Sequence, residues 1–158
     1  MSETTQTVLG FDFGTSRIGV AVGQSLTGTA APLEPVAARD GIPDWQIFDQ
    51  LIAEWQPTAL VVGIPLNMDA TISDMARRAR KFANRLKERS KLPCYLMDER
   101  LTSDEAKRIS VSRGGSNNFK QNSVDGIAAQ LILEDWLASD TRITSETRLE
   151  DLYGIGRN

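Results

Sequence analysis

The chain of 158 residues contains no histidine and a single cysteine. Without histidine there is no imidazole metal centre, no Ser-His triad and no histidine general base. Cys94 alone makes no internal disulfide, and no Cys/His cluster with zinc-ligand spacing exists. Long hydrophobic runs are missing too: none approaches the roughly 18 residues that a membrane span requires. The opening MSETTQT lacks the basic and apolar regions of a secretory signal. The expected setting is therefore the cytoplasm, with no membrane partner.

What is present describes an ordinary globular chain, 41% hydrophobic and 25% charged. We expect one domain over residues 1–140 and a C-terminal appendage over 141–158. The net charge of −3 taken alone argues against a nucleic-acid partner. Its distribution argues the other way. Before residue 77 the basic residues are Arg17 and Arg39 alone, whereas thirteen fall between Arg77 and Lys120. Such crowding is either a cationic binding face or a solvated helix surface.

Hydrophobic periodicity orders the elements. TVLGFDFG and RIGVAVGQ read as strands joined by a tight turn at GTS, where Gly14 is expected to supply a positive φ. A third strand lies within TAAPLEPVAA, at an edge because Pro32 and Pro35 cannot donate to a ladder. Trp45, Phe48, Leu51, Ile52 and Trp55 recur at helical spacing until Pro57. TALVVGIP is wholly apolar, as in a parallel strand covered on both faces. A basic helix (TISDMARRARKFANRLKERS), a strand (LPCYLMDE), a helix start (TSDEAKRI), a loop (SVSRGGSNNFKQN) and a last helix (SVDGIAAQLILEDWLAS) follow. Right-handed crossovers then favour an α/β fold with a five-stranded mixed sheet, order 3-2-1-4-5, strand 2 antiparallel, and helices on both faces. That is the ribonuclease H-like arrangement.

Three acids converge in this topology: Asp12 near the end of strand 1, Glu99 at the end of strand 5, and Asp125 in the first turn of the last helix. Asp125 alone suits the helix dipole, and Glu99 alone suits a surface. Asp12 lies between Phe11 and Phe13 in a central strand, where an unpartnered acid is costly to bury. Together the three form a hard-oxygen donor set for a divalent cation, Mg²⁺ or Mn²⁺. A two-ion site asks for about four carboxylates. Only three are placed, since Asp98 alternates to the other face of the strand.

Four segments resemble the YqgF family of pre-16S rRNA nucleases and Holliday junction resolvases: GFDFGTSRIGVAV, LVVGIPLNMDAT, MDERLTSDEA and SVDGIAAQLILEDWL. They stand in family order from about residue 7 to 138. The resemblance implies a ribonuclease H-like fold and metal-dependent phosphodiester hydrolysis. It also implies catalytic, metal-holding acids at Asp12, Glu99 and Asp125, and a role in maturing the 5′ end of 16S rRNA. RNA is thus expected over a four-way DNA junction, acted on by a monomer or weak homodimer. Ser16, Ala70 and Ala128 depart from the family pattern, where Lys, Gly and, in the related resolvases, a second Asp are usual.

Contacts to the nucleic acid are expected from Arg17, Asn67, Arg100, Arg113 and Lys120. Arg17 and Arg100 either clamp a phosphate bidentately or neutralise the neighbouring acids. Asn67 follows the GIP turn and either meets the substrate or stabilises the turn. Arg113 and Lys120 lie in the Gly-rich loop. Two rival classes stand beside this reading. DFGTS also suits the phosphate loop of an actin-like ATPase, but a second loop and a second domain are missing from the sequence. A non-catalytic nucleic-acid-binding module retains the fold without turnover.

Overall fold

A computed structural model describes residues 6–67, 69, 71–99, 120–139, 143–144 and 147–152, with backbone alone for 120–125 and 150. Strands β1 (Thr7–Asp12) and β2 (Arg17–Gln24) form an antiparallel hairpin, and β3 (Thr29–Arg39) pairs antiparallel with β2. The register between them slips between Ile18 and Val20, which leaves Glu34 and Pro35 outside the ladder. A bulge thus absorbs the proline that a regular strand would reject. Two residues, β4 (Ile42–Pro43), pair with the end of β3.

Helix α1 (Trp45–Trp55) starts at the Asp44 side chain, which accepts from the Gln46 backbone N–H, and ends at left-handed Gln56. Strand β5 (Ala59–Ile64), buried at every residue, runs parallel to β1. Helix α2 (Asp74–Ser90) is capped by Ser73, and β6 (Cys94–Asp98) returns parallel to β5. Helix α3 (Lys120–Ala138) follows, then the edge strand β7 (Ile143–Thr144) antiparallel to β6, and the single turn α4 (Leu149–Leu152). Ile143–Thr144 and α4 belong to the segment set apart as an appendage; Leu149 and Leu152 are buried in the main core.

The sheet order is β4-β3-β2-β1-β5-β6-β7. The expectation of five strands is corrected to seven, because two-residue strands at either edge are too short to show a period of two. Alternation then divides the molecule. Leu9, Phe11, Ile18, Val20, Leu60, Val62 and Leu96 join α1 and α2 in a core rich in aromatic rings. Val8, Ala21, Ala59 and Val61 face Ala129, Ile132, Leu133 and Trp136 of α3. Among the described residues, no helix is long and apolar enough to cross a membrane.

Two local expectations change. Gly14 does not have positive φ; a Cβ there would collide with the Arg17 carbonyl oxygen, so the turn needs glycine for close approach. Residues 120–122, expected in the loop, begin α3. Lys120 is thus helical, and Asp125 stands in the second turn rather than the first. The lack of an apolar period in FKQN hid the start of that helix. The helix expected from TSDEAKRI lies outside the described residues.

Candidate functional site

Asp12 is the last residue of β1 and shares the α3 face with Val8 and Gly10 by strand alternation. Its register neighbours are Gly19 on β2 and Gly63 on β5. Glycine on both flanking strands leaves room around a carboxylate that larger residues would fill. Glu99 follows β6 directly, two residues beyond Met97, which is Gly63's partner on that strand. It is 9% exposed and hydrogen-bonded through its side chain to Asp12.

A hydrogen bond between two carboxyl groups requires a proton, and the raised pKa of Glu99 favours placing it there. Burial raises its pKa well above the ordinary glutamate range; the Asp12 charge, the hydrogen bond to Asp12 and the Asp98 charge add to the rise. Asp98 ends β6 in the alternation of Cys94 and Leu96, which belong to the opposite core. Its charge reaches Glu99 although it lies on the other face.

Gly63 was not singled out from the sequence, yet it shapes this pair. A Cβ there would lie 2.8 Å from both Cγ and Oε2 of Glu99 and 2.5 Å from Ile132 Cδ1. The signal available was an isolated glycine inside the otherwise apolar strand ALVVGI, a mark of close approach. Helix α3 crosses above. Gly126 lies over Pro32, Leu133 over Gly10 and Ile132 over Gly63, and the Trp136 ring lies 5.2 Å from Tyr95. Position 125 precedes Ile132 by two turns, so the two positions share one helical stripe. Two side chains pin the helix to β3: Glu134 Oε2 accepts from the Ala30 N–H at 3.0 Å, and Gln130 Nε2 donates to the Ala30 carbonyl at 3.0 Å.

Asp12 and Glu99 are therefore brought together, while the Asp125 side chain lies outside the described residues. Arg17 opens β2 at the same end of the sheet, in the alternation of Gly19 and Ala21, hence on the Asp12 face. Asn67 is exposed in the loop after β5, and its Nδ2 donates to Thr71 Oγ1 at 2.8 Å. Thr71 in turn donates through its hydroxyl and its backbone N–H to Asp69 Oδ1. The turn-stabilising role of Asn67 is thus present in the structure. Arg100 and Arg113 lie outside the described residues, and Lys120 is described by its backbone alone. A cavity of about 870 Å³ opens beside Leu92, Pro93 and Cys94, at the far end of β6 from the carboxylates. Burial pushes the Cys94 thiol up to about 12, so it stays protonated and inert.

The family described as "RuvX: Holliday junction resolvase" matches residues 6–139. The chain belongs to the RuvX family. The resemblance carried by the four motifs is borne out. A Chromohalobacter salexigens relative, provisionally named a pre-16S rRNA nuclease, is 59% identical over 134 residues, 85% of this chain and 90% of the relative. A Glaesserella parasuis protein with the same name is 57% identical over 132 residues, covering 84% and 96%. The solved structure titled "T. thermophilus RuvC in complex with Holliday junction substrate" superposes with a TM-score of 0.53 at 15% identity. It covers 88% of this chain and 99% of that one. At that identity the likeness speaks for the fold, a mixed α/β sheet of the RuvC kind.

A divalent cation suits this RuvX-family pocket on the chemistry of its donors. Two carboxyl groups that share a proton, Asp12 half-buried and Glu99 buried, offer hard oxygen ligands, and a cation would replace that proton while removing their repulsion.

Proposed function

We propose that this protein is a metal-dependent nuclease that hydrolyses phosphodiester bonds at the 5′ end of pre-16S rRNA. One observation carries the reading: Asp12 and Glu99, from strands separated by β5, meet in a hydrogen bond at the carboxyl ends of the parallel strands. Ligands collect at that edge in open α/β sheets. The relatives named above as pre-16S rRNA nucleases support the choice of substrate.

In this reading Asp12, Glu99 and Asp125 hold Mg²⁺ or Mn²⁺. When bound, such an ion polarises the scissile phosphate and acidifies water. The chain's own groups do the rest. With an ion bound, both carboxylates would be ionised acceptors, and Glu99 would no longer hold the proton it shares with Asp12. Burial of Glu99 beside β5 and α3 keeps it away from bulk water and strengthens its electrostatic contacts. Arg17 sits at the edge where it neutralises a phosphate oxygen, and Arg100, Arg113 and Lys120 extend that contact. No histidine exists to serve as base, so proton transfer passes through water and the carboxylates.

The test incubates purified protein and the Asp12→Asn variant with Mg²⁺ or Mn²⁺. Substrates are an RNA spanning the precursor 5′ end of 16S rRNA and a four-way DNA junction. Cleavage of the RNA by wild type alone is the expected result. Cleavage of the junction instead replaces the substrate assignment, and equal cleavage by both proteins overturns the site.

A further inference from the structure

A groove outside the carboxylate pocket has the chemistry of a phosphate track. It encloses about 210 Å³ between the residue after Asp12 and the outer surface of α2. Phe13, Trp45 and Phe82 form its floor, with the last two rings stacked at 5.8 Å. Arg78, Lys81 and Arg85 form its wall. Their i, i+3, i+7 spacing puts all three on one stripe of the helix.

The three cations are held differently. Arg78 donates to the Asp40 carboxylate at 3.0 Å and to the Asp40 carbonyl at 2.6 Å, which fixes it at the end of the groove next to Gly41. Lys81 and Arg85 are exposed, and neither has a hydrogen bond or salt bridge among the described residues. Among the described residues Asp40 is the one acid of the lining, so cations are in excess there. Further along, Glu88 and the Arg89–Asp49 pair restore neutrality, and the track ends there. An apolar floor beneath a row of cations keeps the local dielectric low and focuses their field on an anion lying above.

Position selects the anion. Phe13 follows Asp12 immediately, so the groove opens at the edge where the carboxylates meet, on the other face of the sheet. The Ser73 hydroxyl, capping α2, reaches the Pro65 carbonyl beyond β5, which ties the start of the helix to that same edge. Among the described residues the lining has no amide and no hydroxyl side chain, and a row of cations suits phosphates whatever the sequence.

We propose that this α2 groove binds the sugar-phosphate backbone of the single-stranded nucleic acid flanking the cut, as the strand passes over the edge from the carboxylate pocket. This rests on the nuclease reading above. Lys81 and Arg85 supply binding, and neither takes part in the chemistry.

The test is the salt dependence of affinity for a fluorescent single-stranded RNA, measured by anisotropy on the full chain without added divalent ion. Each phosphate contact to a single strand contributes about 0.7 to the slope of log K against log salt. The Lys81→Gln/Arg85→Gln double variant should lower the slope by about 1.4 and weaken binding about fifteen-fold at about 0.15 M salt, equally for RNAs of different sequence. Lys81→Arg/Arg85→Lys, which keeps both charges, should restore slope and affinity. An unchanged slope in the charge-removed variant overturns the groove while wild-type cleavage leaves the nuclease reading standing. Wild-type protein that neither binds nor cuts nucleic acid overturns both. A charge-keeping variant that binds as weakly as the charge-removed one also overturns the proposal.

Discussion

The two faces of the sheet are built to different rules. On the α1/α2 face, Phe11, Phe13, Trp45, Phe48 and Phe82 interlock at centroid distances of 5.3–6.1 Å. Large rings bury much apolar area, so this face is where stability concentrates. On the α3 face the sheet contributes Gly10, Gly23 and Gly63, and a Cβ at any of them would come within 3.0 Å of a Leu133 or Ile132 side-chain atom. The missing side chains let α3 settle close to the strands, and at one end they leave a recess for two acids. One face is filled for stability; the other is thinned to hold charge.

The largest effect expected on the thinned face is that of Asp12→Asn. Loss of one ligand of the proposed ion should slow cleavage at least about a thousandfold, about 4 kcal/mol on the barrier. Single-turnover rates at saturating Mg²⁺ measure it. A fall of less than about tenfold would remove Asp12 from the chemistry.

On the filled face, Phe82→Ala should cost about 3–4 kcal/mol of unfolding free energy, read from urea midpoints. Phe82 touches four of the other rings, so a cavity there cannot collapse easily. A cost below about 1 kcal/mol would show that the aromatic cluster is not where stability lies.

Gly63→Ala tests whether the recess matters as space. The added methyl must displace the Glu99 carboxylate or Ile132, at about 1–3 kcal/mol in stability. Cleavage should fall as well, since Glu99 moves away from Asp12. A variant that is destabilised but cuts at the wild-type rate would reduce Gly63 to a packing residue.

The smallest effect is a pH dependence of the ion-free protein. Glu99 has a raised pKa in the folded state, so folded protein holds this proton more tightly than the unfolded chain. As pH rises above the ordinary glutamate value of about 4.5, the unfolded chain releases it first and stability falls. Below that value both states are protonated and the penalty vanishes. Glu99→Gln should therefore be more stable than wild type at neutral pH, with the gap closing toward pH 4. Added Mg²⁺ should raise the melting temperature of wild type more than that of the variant. A gap independent of pH would mean that Glu99 carries no shared proton.

Much of this was legible from residue order. Alternation in VLGFDF separates Phe11 from Asp12, and the same period carried through β6 sets Asp98 apart from Glu99. Met75, Phe82, Trp136 and Leu137 are packed in the core, as helical spacing implies. Other features were hidden because their cause is non-local. The two edge strands exist only through the partners they find, β3 and β6. Gly14 reads as a turn residue and Gly63 as an interruption in a strand, and only the Arg17 carbonyl and the Glu99 carboxylate show what each glycine makes room for. The basic residues of α2 could be counted, but their pairing could not: Arg78 and Arg89 are engaged by Asp40 and Asp49, 38 and 40 residues away in sequence.

By itself, the sequence determined which residues alternate inward, which acids are available and that histidine chemistry is absent, because period and composition are local properties of the chain. Tertiary structure alone decided that Glu99 is buried where it bonds to Asp12, that Gly63 makes room for its carboxylate, and that Lys81 and Arg85 are left exposed beside an aromatic floor. Those outcomes depend on which strands become neighbours and how closely a helix approaches them, and no single segment contains that information.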